Sequence, residues 1–326
     1  MNQTKLKNMR TKSGNPTNLN PVMLLQHLII RSLLALTLLL TLHNLTVAKT
    51  KERSLIAKGA KPEKLAGDFA FTEGPACDRE GNIFFTDQPN NRIMKWSTYN
   101  KLTLFGANFG RANGLYFDQK GNLISCSDEK NEVWSIAPNG KVTVLIKDFE
   151  GKKLNGPNDL WIAPNGGIYL TDPFYKRPWW DHQLSEQDGE HVYYLAPGAS
   201  KLIRVVSDLE KPNGIIGTPN GKYLYIADIK GNKTWRYSIN KDGTLADKKL
   251  FAELGSDGMT IDNKGNIYLT GKGVTIFNHD GALIANIPID ESWTANVCFG
   301  GKDRHLLFVT ASKSVYGIKM KVKRAR

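Results

Sequence analysis

Cysteine is nearly absent from this chain. The 326 residues contain only Cys77, Cys126 and Cys298, an odd number with no C-x-x-C spacing, so neither a zinc site nor a disulfide framework is encoded. Each lies in an apolar segment and reads as a small buried hydrophobe. Acidic residues are scarce at one end: residues 1–61 carry ten Lys or Arg against the single acid Glu52. The formal charge of +13 therefore sits largely there, leaving 34 basic and 30 acidic residues beyond it. That balance excludes a nucleic-acid-binding face, and the tail KMKVKRAR reads as a solvated end. Long apolar runs are also lacking. The charge-free stretch from Ser32 to Ala48 is 17 residues, at the lower edge of what spans a bilayer.

That stretch has the order of an export signal. Lys5, Lys7, Arg10 and Lys12 precede the apolar Ser32–Leu42, and Thr46-Val47-Ala48 offers small residues for cleavage. Residues 1–48 are expected to be a signal peptide or, uncleaved, an N-terminal anchor. Residues 49–61 then form a linker and 62–326 one domain, in the periplasm or outside the cell. No membrane contact is expected unless the segment stays uncleaved.

What the sequence has in quantity is one repeated register. Glu73, Asn113, Asn158, Asn213, Asp257 and Asn296 each stand eight residues before a turn, at Gly81, Gly121, Gly166, Gly221, Gly265 and Arg304. An apolar strand leads into each turn, and a strand rich in Ile, Tyr, Phe and Val follows it, at intervals of roughly 40 to 55 residues. Second strand pairs such as RIMKWSTYNKLTLFG and EVWSIAPNGKVTVLI lie between these hairpins. Four strands per unit and six units predict an all-β, six-bladed propeller. After the last hairpin only SVYGIKMKV remains, so blade six is expected to draw its outer strand from near Leu65 or Phe69. Trp96, Trp134 and Trp235 read as packing between blades. Ring closure would make the first and last blades neighbours, which leaves a Cys77–Cys298 bridge open. One connection is long: PFYKRPWWDHQLSEQDGEH follows Asp172. It returns to the end of the propeller that carries the repeated side chains and is expected to overhang the mouth, with Trp179, Trp180, His182 and His191 available to wall an organic substrate.

If each first strand lines the channel, the fixed offset brings all six oxygen-bearing side chains to one level. Carboxylate and amide oxygens without His or Cys describe a hard-cation site, calcium first, then magnesium or manganese, with zinc less suited. Glu73 and Asp257 would neutralise a divalent ion. Asn113 is placed to bind substrate. Asp172 and Asp228, at second-strand ends on the same face, are candidates for substrate contact or for support behind the ligands, as is Asn296 within the ring.

These residues carry a resemblance. EGPAC at Glu73, RANGL at Asn113, LNGPNDL at Asn158 with TDPFY following, KPNG at Asn213 with YIAD following, and SDGMTID at Asp257 resemble the gluconolactonase/regucalcin family of six-bladed propellers, from about Lys61 to Lys321, and its bacterial gluconolactonase branch most. The resemblance implies a divalent cation in the channel held by Glu73, Asn158, Asn213 and Asp257. It also implies hydrolysis of a sugar lactone, the cation polarising the carbonyl and Asp257 assisting water attack. Animal regucalcins carry an Arg where this chain has Gly156, which leaves the lactone open. The expected enzyme is a calcium-dependent lactonase acting on a small molecule as a monomer or weak oligomer. The alternatives are an aryl-ester or phosphotriester hydrolase on the same fold, and a non-catalytic ligand-binding propeller with a structural calcium.

Overall fold

The computed structural model describes residues 25–26, 29–34 and 55–325. Residues 25–26 and 29–34 are helical and exposed, within a separate unit spanning 1–47. Most of the signal segment and all of its cleavage site lie outside the described residues. Among those described, no helix is long and apolar enough to cross a membrane.

From 63 onward the chain is all-β, with twenty-four strands in six four-stranded antiparallel sheets. The blades span 72–107, 112–146, 160–206, 212–252, 259–287 and 294–319, the last completed by Glu63–Ala66. That closing strand pairs Glu63 with Gly317 and Lys64 with Tyr316, so the two ends of the domain share one sheet. Leu65 lies in it as expected; Phe69 does not, and packs edge-on against Phe85 at 5.3 Å. Joining the ends in one sheet ties the ring shut where it would otherwise open.

The hairpin turns have a local cause. Asp78 Oδ1 accepts hydrogen bonds from the backbone N–H of Gly81 (2.7 Å) and Asn82 (2.8 Å). Asp118 and Asp262 repeat this towards Asn122 and Asn266. All six turn positions have positive φ, including Arg304 at 65°, so the sixth hairpin makes the same turn without glycine.

Inner strands are mostly buried, along their whole length in Thr72–Cys77 and Thr294–Gly300. Outer strands such as Leu102–Ala107 are half solvated. Neighbouring blades meet through rings: Phe84 on Phe117 (5.1 Å), Phe85 on Phe308 (5.5 Å) and Tyr268 on Phe299 (5.3 Å). Trp96 is buried between blades one and six, whereas Trp134 and Trp235 stay half-exposed and Trp235 carries the Lys248 ammonium at 4.3 Å. Threonines on second strands stitch each to the inner strand of the next blade: Thr171 Oγ1 donates to the Asn213 carbonyl (2.8 Å) and Thr270 Oγ1 to the Ala295 carbonyl (2.7 Å). The three cysteines are buried and free.

The C-terminal segment is not a solvated end. Met320 and Val322 are each 1% exposed. The backbone is tied by Met320 N–H to the His305 carbonyl, Lys323 N–H to Asn263 Oδ1 and Arg324 N–H to the Arg304 carbonyl. The alternation of Met320 and Val322 with lysines buries one side of the segment and leaves the charges on the other.

Candidate metal centre and active site

The six repeated side chains sit where the inner strands begin. In blades one, two and four the pairing slips by a bulge at Glu73/Ala76, Ala112/Leu115 and Pro212/Ile215. In blades three and five the strand starts two residues after Asn158 and Asp257, at Leu160 and Met259. A bulge or late start frees these residues from the ladder and re-aims their side chains. The residue that follows is Gly74, Gly114, Gly214 or Gly258 in four blades. A Cβ on Gly74 would lie 2.0 Å from the Asn113 carbonyl oxygen, and one on Gly258 would lie 2.0 Å from Asn296 Cγ. The inner strands therefore approach one another closely only because those side chains are missing.

This packing brings Glu73, Asp257, Asn213 and Asp159 into one electrostatic neighbourhood. Glu73 is buried and its carboxyl is pushed well above the usual range, first by burial, then by the charge of Asp257 and by Asp159. Asp257, partly open to solvent, is pushed up to about 6 by burial, against hydrogen bonds that favour its charged form. Trp293 Nε1 donates to its Oδ2 at 2.6 Å and Asn213 Nδ2 to its Oδ1 at 2.9 Å. Asn213 Oδ1 is buried without a hydrogen-bond partner. The side-chain amides of Asn113 and Asn158 are buried within the ring. Asn296 is already engaged: its Nδ2 donates to Asp159 Oδ2 at 3.3 Å, and its Oδ1 accepts from its neighbour Val297.

These donors fit a divalent cation. A buried Glu73 raised by the charge of Asp257 is relieved by a positive partner, and a buried amide oxygen aimed at nothing needs a ligand. Among the described residues no cluster of three or more His, Cys, Asp or Glu side chains forms a metal cage. The set that fits has two carboxylates and otherwise amide oxygens.

Asp172 and Asp228 do not face a substrate. Asp172 accepts from the backbone N–H of Asn155 and Gly156, both at 2.9 Å, and Asp228 from those of Glu210, Lys211 and Gly231. Each holds the loop that presents Asn158 or Asn213, and their oxygens are spent on main chain.

The insertion overhangs the mouth, with only part of the expected set in use. Tyr175 reaches the ring and its hydroxyl accepts from Asn213 Nδ2 at 3.0 Å. Asp128, 1% exposed, pins the loop: Arg177 Nε and Trp179 Nε1 each donate to its carboxylate at 2.9 Å, and Trp180 Nε1 to its carbonyl at 2.8 Å. Trp180 is buried, and a Cβ on Gly156 would lie 2.7 Å from its ring, which is why no arginine stands at 156. His191 is 4% exposed and bonds Asp188 at 2.8 Å, so it does not wall the site. Sequence reasoning missed Asp159, Tyr175, Arg177 and Trp293. Only Asp159 left a signal, as the carboxylate standing where four blades have glycine.

Residues 71–313 match the family described as the SMP-30/gluconolactonase/LRE-like region. The chain belongs to that family. It is 27% identical over 290 residues to the gluconolactonase of Zymomonas mobilis, covering 79% of this chain and 81% of that one. A solved gluconolactonase from Xanthomonas campestris superposes with a TM-score of 0.76 at 25% identity, over 82% of this chain and 91% of that one. Diisopropyl-fluorophosphatase from Loligo vulgaris is 23% identical over 247 residues, covering 67% of this chain and 78% of its own. The six-bladed propeller expected from the repeat is therefore the fold of this protein, and the gluconolactonase-like resemblance of its motifs holds: the family is one of lactonase-like hydrolases.

Proposed function

We propose that this protein opens a sugar lactone such as glucono-1,5-lactone, with a divalent cation, calcium first, held by Glu73, Asn158, Asn213 and Asp257. The observation that carries the proposal is the buried pairing of Glu73 with Asp257 beside the unpartnered Asn213 Oδ1. When bound there, the cation supplies the positive charge that stabilises the oxyanion developing on the lactone carbonyl. Asp257 is oriented by Trp293 and Asn213 and keeps further lone pairs for a water proton. It takes that proton as the water oxygen adds to the carbonyl carbon. The ring C–O bond then breaks, and the same carboxyl returns the proton to the departing alkoxide, leaving a hydroxy acid. Asn113 offers an amide to the sugar hydroxyls, and Tyr175 and Trp179 limit water at the mouth.

The test is base uptake at constant pH by purified residues 49–326 on glucono-1,5-lactone, before and after chelation and with calcium restored. No turnover on lactones in calcium, with hydrolysis of phosphotriesters instead, would favour the second reading that the diisopropyl-fluorophosphatase likeness supports. We also propose export with removal of residues 1–48, from the basic, apolar and small-residue order. A mature chain whose intact mass still includes residues before Ser32 would refute cleavage.

A further inference from the structure

A cavity of about 940 Å³ runs from Gly74, Asp159 and Asn296 to the hairpin turns at the other end of the inner strands. Its rim is made by the hairpin turns, with Arg79 and Glu80 from blade one, Gln119 from blade two, Pro164 and Pro219 from blades three and four, and Lys302 to Arg304 from blade six. The C-terminal segment crosses the fifth side and adds Lys323 and Arg324. This volume is within the range of small-molecule sites, and its walls are partly aromatic, with Tyr116, Phe117 and Trp161.

Five cations converge on this one cavity. Arg79, Lys302, Arg304, Lys323 and Arg324 all line it, and among the described residues none is in an ion pair. At the mouth, by contrast, Arg177 is paired with Asp128 and Lys211 with Glu190. Of the carboxylates lining the cavity, Asp303 is held by Lys319, Asp159 lies deep against Asn296, and Glu80 is exposed. The two inner guanidinium groups are fixed by neutral acceptors. Arg304 Nη1 donates to the Asp78 carbonyl at 2.8 Å and to Cys77 Sγ at 2.9 Å. Arg324 Nη1 donates to the Cys77 carbonyl at 3.0 Å, and Arg324 lies beside the Tyr116 hydroxyl. Positioned, half-buried cations without counter-charge give the cavity a field that favours an anion.

We infer that the turn-side cavity binds a small multivalent oxyanion, a phosphate ester or a polycarboxylate, against Arg304 and Arg324 with Lys302 and Lys323 at the rim. The cavity reaches Gly74, Asp159 and Asn296 at its inner end, but its cationic rim is at the turns, and the inference does not depend on the lactone reading. It gives the propeller two ends with different ligands: a neutral sugar lactone at one, an anion at the other.

The experiment is calorimetric titration of residues 49–326 with phenyl phosphate and with tricarballylate, at constant ionic strength and with calcium present throughout. Saturable one-to-one binding of either probe is expected, and the probe that binds tells which oxyanion the site takes. Arg324→Gln should weaken it at least about tenfold, the scale of one lost charge-assisted hydrogen bond. Because Arg324 also anchors the terminal segment, the double variant Lys302→Gln/Lys323→Gln serves beside it: both lysines are exposed, so the fold should stand while affinity drops. Lys248→Gln, on an outer strand, should change nothing. Absence of binding by both probes, or binding that the double variant leaves intact, overturns the proposal. Lactone turnover is measured separately, so its failure leaves this result readable.

Discussion

Replacing Asp257 by Asn separates the stability of the ring from its chemistry. Burial pushes the Asp257 carboxyl from its ordinary value near 3.8 up to about 6. An acid with a raised folded pKa is penalised once ionised: the cost is absent below about pH 4, grows as pH climbs, and is complete above about 6. The full displacement would amount to about 3 kcal/mol at neutral pH. Partial exposure of the side chain trims this to about 2 kcal/mol. Asp257→Asn would remove that penalty and relieve Glu73 of its negative neighbour. Against this, the new amide must set an NH2 opposite either Trp293 Nε1–H or Asn213 Nδ2–H. An Asn213 flip resolves the conflict, and one weakened hydrogen bond costs about 1 kcal/mol. The metal-free variant should therefore be as stable as the wild type at pH 7 or slightly more so, and its melting temperature should vary less between pH 4 and 7. Turnover on glucono-1,5-lactone should fall on the order of 100-fold or more, the scale of a lost general base. Urea and thermal unfolding at several pH values, with base uptake at constant pH for turnover, read both effects. A metal-free variant more than about 2 kcal/mol less stable at pH 7 would refute the buried-charge account. Turnover near the wild-type rate would place the base elsewhere.

Other outcomes follow from the same geometry. Gly74→Ala drives a Cβ to 2.0 Å from the Asn113 carbonyl at a φ of 41°, so urea unfolding should show a loss of about 3 kcal/mol or more, or no folded protein. Calcium should raise the melting temperature and chelator lower it, by about 2.7 kcal/mol of stability at one hundred times the dissociation constant, and Asn213→Ala should shrink that gain. Asp172, pushed up to about 7 by burial, keeps a proton in the folded protein that the unfolded chain gives up, so its contribution to stability falls as pH rises from about 4 to 7. Asp172→Asn should flatten that part of the stability curve, as thermal melts across the range would record.

How much was legible beforehand differs between fold and site. The hairpin register was local: Asp78, Asp118 and Asp262 each close their own turn, and Arg304 adopts the same positive φ as five glycines. Blade count and closure near Leu65 followed from that periodicity. Asn296 shows where the register stopped being enough. It has the right offset, yet bonds Asp159, because Asp159 fills space that other blades leave to glycine.

By itself, then, the sequence determined what is set within about forty residues: turns, strand pairing and the six-fold repeat. Tertiary structure decided what depends on neighbours far along the chain. Asp172 and Asp228 were spent on the loops they support, Tyr175 was brought to Asn213, and Trp293 to Asp257. It also folded the basic C-terminal segment under the ring, where Met320 and Val322 are buried and Arg324 faces a cavity. Backbone turns answer to adjacent residues, while a side chain's partner is whatever the closed ring places opposite it, and closure is a property of all six blades at once.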